Sequence, residues 1–185
     1  MRIISGLHKG RRISAPKNLP VRPTTDMAKE GLFNILTHQL DIENISVLDL
    51  CCGTGNISFE FASRGCRTLT AVDQHKGCIS FLKKMSTDLD FSITAIQKNI
   101  FGYLQNNKQI FQLVFADPPY NFSNEQYVEI IELVLEKALS SEGHFILEHE
   151  GVIAFEDHPN FTRVRNYGNS CFSFFKKAGH KPDSV

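Results

Sequence analysis

Residues 47 to 58 read VLDLCCGTGNIS, an apolar run that carries one acid, Asp49, and breaks at Gly53 and Gly55 before helix-forming residues resume. A buried strand that ends in a glycine turn and passes straight into a helix is the opening unit of an open α/β sheet. The turn brings main-chain amides to the carboxyl edge, where such sheets bind ligands. A dinucleotide site would continue as GxGxxG, yet position 58 is serine where the third glycine is expected.

Apolar runs alternate with helical patterns on both sides of this stretch. Strands are expected at Ile45 to Leu50, Leu69 to Val72, Phe91 to Ile96, Phe111 to Ala116 and His144 to Glu148. Helices are expected between them, at about Asn56 to Ser63, around Ile79, Leu82 and Met85, near Ile100 to Leu104, and at Glu125 to Leu139. Repeated βα alternation predicts a mostly parallel sheet covered by helices on both faces. Phe161 to Tyr167 and Cys171 to Phe175 are separated only by Gly168, Asn169 and Ser170, a hairpin linker that makes the last strand antiparallel. Near the start, Arg2 to Ile4 and Arg11 to Ser14 flank Ser5 to Gly10 as a second small hairpin. Thr25 or Asp26 then caps a helix through Leu32, Phe33, Ile35 and Leu36. The organisation is thus a basic hairpin and helix extension over 1–40, an α/β domain over 41–178 and a tail at 179–185.

Net charge is zero, but it is unevenly spread. Residues 1–30 hold seven Lys/Arg against two acids, residues 161–185 five against one, and the middle eight against seventeen. Basic ends on an acidic body suit a polyanion docking on one face, or simply solvated termini. No apolar run approaches the roughly 20 residues that span a bilayer, and MRIISGLHKGRR lacks the apolar stretch of a secretory signal, which places the protein in the cytoplasm with no membrane partner. The five cysteines have no CxxC pair and no metal-like spacing and are read as free structural thiols, so no metal is expected. The seven histidines form no cluster and are read as surface or capping residues, and Glu125, Glu129, Glu132 and Glu136 as a solvated helix face.

Asp73 closes the second strand in TAVDQ, placed to accept hydrogen bonds from two ribose hydroxyls. With Asp49 it gives paired carboxylates at successive strand ends, which suits a cofactor with a ribose and no pyrophosphate. S-adenosylmethionine is such a cofactor, and its methionine carboxylate suits a helix N-terminus. Cys51, Gly53, Gly55 and Gln74 complete the expected cofactor lining. Asn99 either meets an adenine edge with Ile100 packed nearby or caps the next helix; both readings stand.

QLVFADPPY sets Asp117, Pro118, Pro119 and Tyr120 at the carboxyl end of the fourth strand. A carboxylate and a proline carbonyl can hold both hydrogens of one amino group and turn its lone pair toward an electrophilic methyl, while Tyr120 stacks on a flat base. An exocyclic base nitrogen is conjugated and poorly nucleophilic, so positioning is the remedy, contributing on the order of 7–11 kcal/mol.

These residues resemble the RsmD-type 16S rRNA guanine-N2 methyltransferases of bacteria. The resemblance runs from RIISGLHKGRRISAP through RPTTD and EGLFNIL to VLDLCCGTG, AVD and DPPY. It implies a Rossmann-like class I fold, S-adenosylmethionine as cofactor and transfer of a methyl group to a guanine amino group in ribosomal RNA. It places Asp49, Gly53, Gly55 and Asp73 at the cofactor, Asp117 to Tyr120, with Asp117 also beside the cofactor, at the chemistry, and Arg22 and Thr24 near the active-site mouth. Arg11 and Arg12 are the expected RNA contacts, on a monomer acting on a small-subunit particle. Met27 and Lys29 stand where the family has arginines, Cys51 and Cys52 where Phe-Ala is usual, and Asn99 where aspartate is common. The competing readings are an N6-adenine methyltransferase, a nicotinamide-dependent oxidoreductase and a non-catalytic RNA-binding module.

Overall fold

A computed structural model describes residues 1–16, 19, 24–168 and 170–177. Arg22 and the tail expected at 179–185 lie outside the described residues. Seven strands, β1 (Ser46–Leu50), β2 (Thr68–Asp73), β3 (Ile93–Gln97), β4 (Phe111–Ala116), β5 (Leu139–Glu150), β6 (Phe161–Tyr167) and β7 (Ser170–Phe175), form one sheet in the order β3-β2-β1-β4-β5-β7-β6. The first five are parallel and β7 runs antiparallel to both β5 and β6. Strand order reverses between β1 and β4, so their loops diverge to opposite faces and leave a crevice at the carboxyl edge.

Helices α1 (Asp26–Gln39), α2 (Asn56–Ser63) and α3 (Lys76–Asp88) cover one face, and α4 (Ile100–Asn106) and α5 (Asn124–Lys137) the other. Alternation along the strands divides the two cores. Leu48, Leu50 and Val114 meet α4 and α5 through Tyr103, Ile130 and Val134, whereas Val47, Leu113 and Phe115 meet α1 and α2 through Leu32, Phe33 and Phe61. Caps fix the helix starts. The Thr25 side chain accepts from the Ala28 amide at 3.2 Å, and Ser123 with Gln126 forms a capping box.

Three expectations are corrected. α5 ends at Lys137 and β5 begins at once at Leu139, five residues before His144, because Phe111 pairs with Leu139 and the register then shifts before Leu113 meets His144. Phe91 precedes β3; its ring stacks on Phe59 at 6.2 Å and meets the His8 ring edge-on at 5.0 Å. His149 is 1% exposed, with one ring nitrogen 2.8 Å from the Ser173 hydroxyl and the other 2.8 Å from the Glu150 carbonyl, and is thus a core residue.

The N-terminal hairpin lies along α2, with Arg2 bridged antiparallel to Arg12. Its anchor is Glu60, whose fully buried carboxylate accepts from the amides of Ile4 and Ser5 at 2.8 and 3.0 Å and from Arg64 at 2.8 Å, and lies 3.6 Å from the Lys29 ammonium. Burial pushes the Lys29 pKa down and the Glu60 carboxylate opposes that shift. Removing one partner strands the other in the core, so Glu60→Ala should lower unfolding free energy by about 3–5 kcal/mol in denaturant melts, and a loss under about 1 kcal/mol would contradict the anchoring role.

Candidate functional site

At the end of β1 the chain takes three left-handed residues in five, Cys51 (φ 58°), Gly53 (φ 53°) and Gly55 (φ 85°), before α2 begins at Asn56. Glycine adopts these angles without a Cβ penalty; Cys51 adopts its angle against one. The turn is tied to its neighbour by Asp73, whose two oxygens accept from the Gly53 amide at 2.8 Å and the His75 amide at 2.7 Å. Gly55 faces inward: a Cβ there would sit 2.9 Å from Leu82 Cδ1 and 3.1 Å from the Phe59 ring. Its glycine therefore serves the backbone and the core, and unlike Gly53 it does not line the cavity.

That cavity, of about 570 Å³, opens at the carboxyl edge. Among the expected residues it gathers Thr24, Asp49, Cys51, Gly53, Asp73, Gln74, Asn99, Ile100 and the whole turn Asp117 to Tyr120. Arg11 and Arg12 are exposed on the N-terminal hairpin and are not part of the lining. The structure adds Asn56, His75, Lys98 and Phe115, with the small or apolar Cys52, Thr54, Ile57, Val72 and Cys78. The Asn99 side chain accepts from the Gly102 amide at 2.7 Å, so this residue both caps α4 and lines the cavity.

Ser58, where the sequence lacks a third glycine, donates its hydroxyl to Asp49 Oδ2. Asp49 is 1% exposed, and its Oδ1 is buried with no hydrogen-bond partner among the described residues. Burial first, then the nearby charge of Asp73, pushes the Asp49 pKa up to about 7 despite the Ser58 bond. The same burial and the neighbouring carboxylates push the Cys51 and Cys52 thiols well up, which keeps them protonated and unreactive. Three carboxylates, Asp49, Asp73 and Asp117, face one ammonium, Lys98, in the described lining. Such a field repels a pyrophosphate and attracts a cation. The residues fit a nucleoside whose ribose hydroxyls meet Asp73 and whose positively charged N–H group meets the orphan oxygen of Asp49.

The turn after β4 is held from beneath. The Asp117 amide donates to the Leu50 carbonyl at 3.2 Å, and the Phe122 amide closes onto the Pro119 carbonyl at 3.1 Å. Phe122 stacks on Phe101 of α4 at 5.9 Å and meets Tyr127 of α5 at 6.3 Å. These aromatics support the turn and carry no motif of their own, so the sequence did not single them out. Tyr127 is fully buried with its hydroxyl unpartnered among the described residues, and desolvation pushes its pKa up to about 12.

The raised pKa of Asp49 has a thermodynamic sign. The folded state holds this proton from the ordinary carboxyl value of 3.8 up to about 7, so the Asp49 contribution to ligand-free stability falls as pH rises through that window and is level above it. Asp49→Asn should remove this falling component from the stability-against-pH curve measured by denaturation. A curve of the same shape in both proteins would contradict the assigned shift.

Residues 1–176 match the family described as Conserved hypothetical protein 95. Ribosomal RNA small subunit methyltransferase D of Haemophilus influenzae is 33% identical to this chain over 137 residues, covering 71% of this chain and 70% of that protein. Among solved structures, a hypothetical protein of Thermus thermophilus superposes with a TM-score of 0.83 at 20% identity, covering 95% of this chain and 99% of the other. A 16S rRNA N2 methyltransferase of the same organism, RsmC, solved in complex with AdoMet and guanosine, superposes with a TM-score of 0.70 at 18% identity, covering 86% of this chain and 45% of the other. These two structural likenesses establish the fold. The family match through residue 176, with a relative of 33% identity bearing the methyltransferase D name, makes this chain a member of the RsmD family of rRNA methyltransferases.

Proposed function

We propose that this chain transfers a methyl group from S-adenosylmethionine to the exocyclic N2 amino group of a guanine in 16S ribosomal RNA, working as a cytoplasmic monomer on a small-subunit particle. The observation that carries the reading is the turn Asp117 to Tyr120, which lines the same cavity as the cofactor-type carboxylates Asp49 and Asp73. The turn Asp117 to Tyr120 follows β4 and the glycine turn follows the adjacent β1, which supports an amino group held by one meeting a methyl held by the other. The RsmC complex with AdoMet and guanosine, on the same fold, supports the pairing of this cofactor with a guanine base.

S-adenosylmethionine supplies, when bound, a methyl carbon on a positively charged sulfur. Asp49 would take the cofactor's ammonium, and Asp73 its ribose. Asp117 and the Pro118 carbonyl would accept the two amino hydrogens of the base and aim the nitrogen lone pair along the line of attack. The nitrogen would take the methyl while the C–S electron pair stays with sulfur, and its proton would become acidic only then. A carboxylate of ordinary basicity, or solvent, then suffices to remove it. Tyr120, half-buried at the mouth, would stack on the base. Arg11 and Arg12 would meet RNA phosphates from the flank of α2 and add salt-sensitive affinity without sequence information.

Single-turnover methyl transfer to 16S rRNA with saturating labelled cofactor tests this division of labour. Asp117→Ala should slow transfer by about two orders of magnitude or more, with a far smaller change in cofactor affinity. Tyr120→Ala should weaken base capture by about 1–3 kcal/mol, whereas Tyr120→Phe keeps the ring and most of the activity. Transfer at the wild-type rate by Asp117→Ala would remove that residue from the chemistry.

A further inference from the structure

Glu148 is 2% exposed at the carboxyl end of β5, and the chemistry above makes no use of it. Ala116, the last residue of β4, pairs with Leu147, so Glu148 is the next residue along β5 as Asp117 is the first after β4. Its Oε2 accepts from the Thr24 hydroxyl at 3.1 Å. On the other side, the Thr24 carbonyl accepts from Asn56 Nδ2 at 2.9 Å, and Asn56 Oδ1 accepts from the Lys29 ammonium at 2.9 Å. Thr24 and Asn56 are 8% and 7% exposed and both line the cavity. The hydroxyl and the carbonyl of Thr24 are therefore clamped to opposite walls: the end of β5, beside the base-holding turn, and the first residue of α2, directly after the cofactor turn.

A buried carboxylate loses its hydration, and an apolar residue would fill the same place without that cost. A carboxylate that instead holds one hydroxyl of the cavity wall serves geometry. We infer that Glu148 and Asn56 are positioning residues that act through Thr24, fixing the wall at which the base side and the cofactor side of the cavity join. This rests on the proposed function for its catalytic meaning but not for the clamp itself. The order along the chain explains the need: Thr24 directly precedes the Thr25 cap of α1, so its two bonds fix the start of α1 against the cavity.

The test uses the full chain with Glu148→Gln, Glu148→Leu, Thr24→Val and the Thr24→Val/Glu148→Leu double variant. Amide hydrogen exchange at Ala28 and Lys29, whose amides donate to the Thr25 hydroxyl and the Thr25 carbonyl, is followed first, without RNA or cofactor. The clamp predicts exchange faster by about tenfold in Glu148→Leu and Thr24→Val, and within about twofold of wild type in Glu148→Gln, whose amide oxygen still accepts the hydroxyl. Unaltered protection in Thr24→Val overturns the clamp, and that comparison stands even if Glu148→Leu fails to fold. Single-turnover transfer is measured next at saturating cofactor and rRNA. Glu148→Leu and Thr24→Val should each be slower by about tenfold, Glu148→Gln should recover to within about threefold, and the double variant should be no slower than the slower single. Multiplying effects in the double variant would mean that Glu148 acts independently of Thr24, against the inference. An absence of transfer by the wild-type chain would defeat the proposed function and leave the exchange result to decide the clamp.

Discussion

Everything at the carboxyl edge depends on how the loop after β1 is held against the loop after β2. Asp73 does this with one carboxylate, accepting from Gly53 on one oxygen and from His75 on the other. The two bonds fix a turn with three left-handed residues and so set where α2 and α3 begin. The Asp117 amide on the Leu50 carbonyl adds the third loop to the same frame. A cavity wall built from main-chain groups tied in this way is preorganised before any ligand arrives.

Buried charge plays two distinct parts. Around Glu60 it is satisfied: two amides, an arginine and a lysine surround the carboxylate and join the N-terminal hairpin to α2. At Asp49 it is left half unsatisfied, with one oxygen on Ser58 and the other without a donor among the described residues. The first arrangement stabilises the fold. In the second, burial raises the pKa and one oxygen stays without a donor among the described residues.

Much of this was legible in the sequence, because α/β alternation and the glycine turn are local signals. The helix over Asn56–Ser63 and the strands over Phe111–Ala116 and Phe161–Tyr167 have the bounds their periodicity predicts. The expected cavity residues were those at strand ends, and the parallel topology brings strand ends together. What escaped was non-local. Ser58 read as a missing glycine, although its hydroxyl is the partner of Asp49. Lys29 read as a departure from a pattern, although its ammonium lies between Glu60, Asn56 and the Arg2 carbonyl. Glu148, His149 and the early start of β5 depend on neighbours far along the chain, and neither residue spacing nor charge counts reveal such partners.

Two features share one cavity: the glycine turn after β1, with Asp49 and Asp73, and the proline-fixed turn Asp117 to Tyr120 after β4. The identity of the methylated product decides whether the two turns work together on a guanine. Small-subunit particles or 16S rRNA, incubated with the wild-type chain and methyl-labelled S-adenosylmethionine, should be digested to nucleosides and resolved by mass spectrometry. The account predicts that the label appears in N2-methylguanosine. Label in N6-methyladenosine would contradict the base assignment, and no label in any nucleoside would contradict the account as a whole.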